Sequence, residues 1–435
     1  MKKNSTFCRG RPTWTNACVG NNGSPSYVQY ALGFSKAANL ILDQVLECRG
    51  VKYNLDDMVY PVCFNMRHSV ELRLKGAISE LDVIAKMKGI KLTFDLSGSH
   101  DIGNIWSFFK LKSEQIDERY KIINSDIAPT ILDIADVDST GQTFRYPISN
   151  ESQKHLADVA LINFLVLKEK FSKLQEKLDE LLYLNEYLIE EYSLGTFTKK
   201  LSRQQLFSLT SNLPELAQWQ ADSFKQKKLD LKKMHGLSSN ELTKAINKIK
   251  SNYELMYQLN SPVPLKGVDE YNLIWFLDFW IEINPEIKER SRSAGVTKLD
   301  MDEMLKSIKR DRELKTKLWA NLNGYITSES LAGLKALFYF AYDKKFSETY
   351  VNSYHNELKE ALVLMKDGVD GAQESFMRLA DKANFFDQLV MSLYFLHYNE
   401  LAEELIDIYG VSDAFPWLDK ARSRELFALP ELAGY

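Results

Sequence analysis

Apolar residues along this chain recur mainly at three- and four-residue intervals, the period of an amphipathic α-helix. Between residues 26 and 49, Tyr30, Phe34, Ala37, Ala38, Ile41, Val45 and Leu46 keep that interval, and Gly50 closes the run. Pro61 stands where a helix accepts a first-turn proline. After it, Cys63, Met66, Val70, Leu74, Ala77, Ile78 and Leu81 form one stripe that predicts a second helix to about Lys88. A turn at Ser97-Gly98-Ser99-His100-Asp101 precedes a further helix from Ile102. The segment from Asp126 to Pro147 reads differently: Asp133, Asp136, Asp138 and Gly141 interrupt Ile131, Ile134 and Val137. That pattern predicts a loop with a short hairpin ending in Phe144-Arg145-Tyr146-Pro147. The longest helical pattern then runs from Glu151 to about Tyr192, and Gly195 breaks it.

Two capping-box spacings, Ser202-Arg203-Gln204-Gln205 and Ser238-Ser239-Asn240-Glu241, mark helix starts in the next stretch, and Asn260-Ser261-Pro262-Val263-Pro264 ends it. Beyond lies a series of helical segments, among them Asp269 to Ile283, Asp300 to Leu322 and Ala372 to His397, with no fixed repeat length. The pattern predicts a mostly α protein. Residues 1–25 form a flexible arm and residues 26–195 a helical bundle with a small irregular or hairpin insertion. Residues 196–260 form a small helical middle unit and residues 261–435 a C-terminal α-helical array.

Composition narrows the class. At 435 residues the chain exceeds one ordinary core, and 45% hydrophobic with 26% charged residues is the balance of a folded protein. A formal net charge of −4 gives no overall attraction to nucleic acid or to an anionic membrane. Cys8, Cys18, Cys48 and Cys63 lack metal-ligand spacing and read as free thiols in a reducing, cytoplasmic setting, so neither metal nor other cofactor is expected. The first residues carry no apolar signal core. The most apolar later run, Tyr271 to Ile283, holds Asp278 and Glu282 and is shorter than the roughly 20 residues that span a bilayer, so no membrane partner is expected. Phosphate-binding glycine loops, the G-x-S-x-G elbow and the H-E-x-x-H zinc motif are missing, which argues against the common nucleotide, hydrolase and zinc-protease chemistries.

Candidate chemistry concentrates in the second helix, Arg67-His68-Ser69-Val70-Glu71-Leu72-Arg73-Leu74-Lys75. At about 100° per residue, with Arg67 as origin, the apolar stripe centres near about −40°, Glu71 falls at about 40°, Lys75 at about 80° and His68 at about 100°. Arg67 and Glu71 therefore sit on or beside the buried face, where charge is costly unless paired. Two readings follow. In one, Arg67–Glu71 is a packing staple; in the other, Arg67, His68 and Glu71 line a cleft with His100, Asp101 and Arg145. His100-Asp101 falls at a helix start, where Asp101 suits capping. Arg145, between Phe144 and Tyr146, has rings that hold a guanidinium flat toward a phosphate or carboxylate. Lys225, Lys227, Lys228, Lys232 and Lys233, with the run Lys306, Lys309, Arg310, Arg312, Lys315 and Lys317, are either solvated helix faces or phosphate contacts.

The Tyr60-Pro61…Arg67-His68-Ser69-Val70-Glu71-Leu72…Lys75 helix, the His100-Asp101-Ile102…Ile105-Trp106 turn and the Phe144-Arg145-Tyr146-Pro147 end resemble HEPN-type helical domains of bacterial toxin and phage-defence proteins. The resemblance covers about residues 26 to 192. It implies a helical bundle that dimerises, a protein partner encoded beside it in a defence operon, and metal-independent RNA cleavage. In that family an Arg a few residues before a His acts at the scissile phosphate. Here His68 follows Arg67 directly, so the motif is rearranged. On the catalytic expectation, Arg67 and Arg145 bind phosphate, His68 or His100 moves protons and Glu71 orients an arginine. The alternatives are an interaction or sensor protein whose polar cluster is structural, and a nucleic-acid-binding regulator acting through the middle lysines.

Overall fold

The computed structural model describes residues 4–20, 22–148, 155–289, 309, 312–317, 319–320, 326–366 and 369–435. The fold is mostly α-helical, with no β-strand among the described residues, and it divides into two compact units, Met1–Glu190 and Glu191–Tyr435. No described helix is long and apolar enough to cross a membrane.

The N-terminal unit is built from α1 (Tyr27–Glu47), α2 (Leu55–Met87), α3 (Ile102–Ile116), α4 (Tyr120–Asp138) and most of α5 (Phe164–Ser193). α2 is the central element, packed against α1, α3 and α4. Its buried line Val62, Met66, Val70, Leu74, Ile78 and Leu81 keeps the predicted stripe. In α1 the buried line is Ala31, Ser35, Ala38, Leu42 and Val45: Ala38 and Val45 lie on the expected face, and Ala31, Ser35 and Leu42 each stand one position on from an expected residue. Phe34, Ala37 and Ile41 flank it half-buried while Tyr30 is exposed. Three further expectations are corrected. Asn54 caps α2, so Pro61 lies inside the helix and not in its first turn. The expected hairpin is absent: Asp126 to Asp138 belongs to α4, in which Ile123, Ile127 and Ile131 bury a four-residue line while Asp126 and Asp133 face solvent. The Ile131, Ile134, Val137 spacing is a helical period, and Pro129 does not end the helix. The long helix begins at Phe164, well after Glu151; residues 149–154 lie outside the described ones.

In the C-terminal unit both expected capping boxes form, starting α6 (Arg203–Ser211) and α8 (Ser239–Lys250), with α7 (Asp222–Met234) and α9 (Tyr253–Tyr257) beside them. Leu206, Leu209, Phe224, Leu231, Ala245 and Ile249 give this stretch its own apolar cluster. α10 (Glu270–Ile283) buries Phe276, Leu277 and Trp280 in a larger core. That core is shared with α11 (Ser328–Asp343), α12 (Ser347–Lys366), α13 (Val369–Ala380), α14 (Phe385–Phe395), α15 (Asn399–Tyr409) and α16 (Leu418–Arg422). The single helix expected over Ala372 to His397 is two, α13 and α14, parted at 381–384. Most of the expected Asp300 to Leu322 helix, with Lys306 and Arg310, lies outside the described residues; 312–317 is helical.

Candidate functional site

Three residues on successive turns of α2, Arg67, Glu71 and Lys75, are each at most 4% exposed. Spacing of four places them one above another on a helix face, so the alternating charges pair along the axis. Arg67 ion-pairs with Glu71 Oε2 through Nη1, and Lys75 Nζ lies 2.9 Å from Glu71 Oε1. Three further guanidinium donors go to backbone carbonyls: Nε to Asp138 at 3.1 Å, and Nη2 to His100 at 2.5 Å and Ser139 at 2.7 Å. The Asp138 and Ser139 carbonyls belong to the C-terminal end of α4, where a helix leaves acceptors without intrahelical partners, and the His100 carbonyl belongs to the turn before α3. Arg67 therefore joins three elements. Gly141 lies against it: at φ +78, where an L side chain is strained, an added Cβ would stand 3.1 Å from Nη1.

Burial works to raise the Glu71 pKa, but His68, the Lys75 and Arg67 hydrogen bonds and the Arg67 charge outweigh it, holding the carboxyl well below the usual carboxylate range. The cluster is thus an ionised carboxylate between two cations. His100 adds Nδ1 at 3.1 Å from Glu71 Oε1, with a side chain 62% exposed. Its neighbour Asp101 caps α3 by accepting from Asn104 N at 2.8 Å. His68 Nδ1 is 3.9 Å from Glu71 Oε2, and its ring stacks on Phe64 and meets Phe34 edge-on.

Arg145 is not part of this network. It is exposed, its guanidinium lies over the Phe64 and Tyr146 rings at 5.6 and 5.3 Å, and it has no carboxylate partner among the described residues. Phe64 is the shared neighbour of His68 and Arg145. The structure therefore joins Arg67, Glu71 and His100 closely, sets His68 at their edge, and leaves Arg145 on a separate aromatic patch.

On another side of Arg67 opens a cavity of about 510 Å3, lined mainly by Met66, Ile134, Val137, Phe144, Leu167 and Phe171, with Thr130, Asp133, Asn163 and Lys170 as its polar members. Cys63 also lines it; burial first, then the Asp138 charge, pushes that thiol up to about 12, so it is a neutral, unreactive wall. Asp138 is buried: one carboxyl oxygen accepts from Thr143 N at 3.0 Å, and Oδ2 has no hydrogen-bond partner. All four cysteines are free, and no group of three or more His, Cys, Asp or Glu among the described residues is placed to hold a metal.

The middle lysines lie on α7. Lys225 pairs with Asp222, Lys228 Nζ sits 4.5 Å from the Phe224 ring centroid, and Lys232 Nζ lies 2.9 Å from Ser239 Oγ. Lys225, Lys227, Lys228, Lys232 and Lys233 thus share one short helix, beside the stacked Trp219 and Phe224 rings.

Sequence reasoning passed over one charged cluster. Arg203, fully buried at the start of α6, ion-pairs with Glu254 and with Glu348, the latter at 3.1 Å, and donates to Tyr435 Oη at 2.5 Å. The rings of Phe207, Phe346 and Tyr435 surround its guanidinium at 4.9 to 5.3 Å. The only local signal was an Arg directly after an N-cap serine; the partners are 51, 145 and 232 positions away.

Compared with family models, curated proteins and solved structures, the chain matches none.

Proposed function

We propose that this protein acts by binding: it is an interaction or sensor module of a bacterial defence or toxin-like system, and its α2 polar cluster is structural. The defence setting rests on the HEPN resemblance alone. The observation that carries the binding reading is the use of the Arg67 guanidinium, which is 3% exposed and spends four of its five N–H groups on Glu71 and three backbone carbonyls. The neighbouring cavity supports it, since about 510 Å3 with a mainly apolar lining and a few polar groups falls in the range of small-ligand sites, roughly 300 to 1,000 Å3.

A second reading, RNA cleavage, draws on His100. A buried carboxylate holds its Nδ1 while the rest of the ring reaches solvent, the arrangement that orients an imidazole for proton transfer. The test expresses wild type, His100→Ala and Arg67→Met and measures cellular RNA integrity beside thermal unfolding of each purified chain. The binding reading expects intact RNA throughout, an early-melting Arg67→Met and an unchanged His100→Ala. RNA degradation by wild type that vanishes in a normally folded His100→Ala chain overturns it in favour of the nuclease.

A further inference from the structure

The cavity beside Arg67 opens along α4 and α5. These helices run antiparallel: Tyr120 Oη at the start of α4 donates to Asn185 Oδ1 late in α5 at 2.7 Å, and further along Lys177 Nζ lies 3.3 Å from Asp126 Oδ2. From Asp126 on to Asp133, and from Lys177 back to Lys170, is about two helical turns on each helix, so the same register brings Asp133 and Lys170 opposite one another. A second ion pair is due there, and it does not form. Both residues instead line the cavity, exposed, and neither has an ion-pair partner among the described residues. The other lysines of α5 are all paired: Lys168 with Asp43, Lys173 with Glu169 and Lys177 with Asp126.

The rest of the lining is mainly apolar, with Ile134 and Val137 from α4, Leu167 and Phe171 from α5, and Phe144. An engineered apolar cavity of about 150 Å3 holds benzene, so about 510 Å3 has room for up to about twenty carbons. Leu161 and Val166 also line it, yet they are 93% and 55% exposed, apolar surface that a guest would cover. Two of the polar members are already committed. Asn163 Oδ1 caps α5 by accepting from Leu165 N at 2.9 Å and Val166 N at 3.1 Å, and the Arg67 charge is paired with Glu71. Asp133 and Lys170 are left as the two uncommitted charges of the lining, opposite in sign.

An anionic guest would gain Lys170 and meet Asp133 as a like charge; a cationic guest would do the reverse. A neutral head group would leave both charges unpaired. We propose that the cavity binds a zwitterionic amphiphile, a free small molecule with an ammonium and a carboxylate a few bonds apart on an apolar stem. The ammonium donates to the Asp133 carboxylate, the carboxylate accepts from Lys170 Nζ, and the stem lies among Ile134, Val137 and Phe171. An α-amino acid with a long alkyl side chain is the simplest such molecule. The proposal rests on the binding reading of the N-terminal unit and names the ligand class for its cavity.

The test is isothermal titration calorimetry of the full chain with 2-aminodecanoic acid, decanoate, decylammonium and decanamide, one chain length with four head groups, each below its micelle concentration. The amino acid is expected to bind about tenfold tighter than the other three, the gain that two exposed ion pairs allow. In the Asp133→Asn/Lys170→Gln double variant it should fall to the level of decanamide, with decanamide binding and thermal unfolding unchanged, because both positions are exposed and unpaired. Decanoate or decylammonium binding as tightly as the amino acid, or a preference that survives in the folded double variant, overturns the zwitterion assignment and leaves the cavity as a binding site. Absence of binding by all four probes at millimolar concentration overturns the assignment and also removes the cavity from the support of the binding reading.

Discussion

Arg67 in the N-terminal unit and Arg203 in the C-terminal unit are both buried arginines, and they are satisfied in opposite ways. Arg67 has one carboxylate and three backbone carbonyls, and with Lys75 nearby the cluster holds two cations to one anion. Arg203 has two carboxylates, a tyrosine hydroxyl and three aromatic faces, so its cluster holds one cation to two anions. Burial works to lower the Arg203 pKa, and the Glu254 and Glu348 charges more than reverse that. For Glu348, burial works upward and the Arg203 charge outweighs it, holding the carboxyl low. The difference teaches what each device secures. Carbonyl contacts hold the end of α4 and the turn before α3; the carboxylates, hydroxyl and rings around Arg203 tie together segments far apart in the chain.

The comparison predicts which deletion hurts most. Arg203→Met leaves Glu254 and Glu348 facing one another in the interior and should cost about 4 kcal/mol in urea unfolding. A variant as stable as wild type would remove this cluster from the argument. In the N-terminal unit the sensitive residue is the anion: Glu71→Gln strands Arg67 and Lys75 together and should cost roughly 3 kcal/mol, more than Arg67→Met, which leaves Glu71 paired with Lys75. The reverse order would show that the carbonyl contacts, and not charge balance, dominate. Gly141→Ala should cost about 1 to 2 kcal/mol, from the left-handed backbone and from crowding of Arg67. An unchanged urea midpoint would mean that the loop yields without disturbing the guanidinium.

The smallest expected effect is in acid. Glu71 has a folded pKa below its ordinary value of 4.5, so its stabilisation is full above that value. It is lost as pH falls further, because the unfolded chain takes the proton first. Lowering pH from 4.5 to 3.5 should remove roughly 1 kcal/mol through this group. Urea midpoints should therefore fall less steeply with acid in Glu71→Gln than in wild type. Parallel pH curves would show that Glu71 is not the responsible carboxyl.

How much of this was legible follows from distance along the chain. The Arg67–Glu71–Lys75 line lies within one helix, and 100° per residue already placed Arg67 and Glu71 at the buried edge. The His100 carbonyl, 33 positions on, and the Ser139 carbonyl, 72 positions on, were not legible, because backbone groups look alike in every sequence. α4 was misread as a loop and hairpin because Asp133, Asp136, Asp138 and Gly141 interrupt the apolar pattern, whereas Asp133 and Asp136 face solvent and Ile123, Ile127 and Ile131 bury a helical line. Part of the α1 face shifted by one position because apolar residues occupy more of that helix than its neighbour covers.

By itself, then, the sequence determined the helical class, both capping boxes and the charged line on α2, since each depends on residues within a turn or two of one another. Tertiary structure alone decided that Arg67 holds the end of α4 and the turn before α3, that Arg145 stands apart from it, and that Arg203 gathers Glu254, Glu348 and Tyr435. The physical reason is that a buried charge takes whatever partner packing brings within hydrogen-bond reach, and chain separation carries no information about that reach.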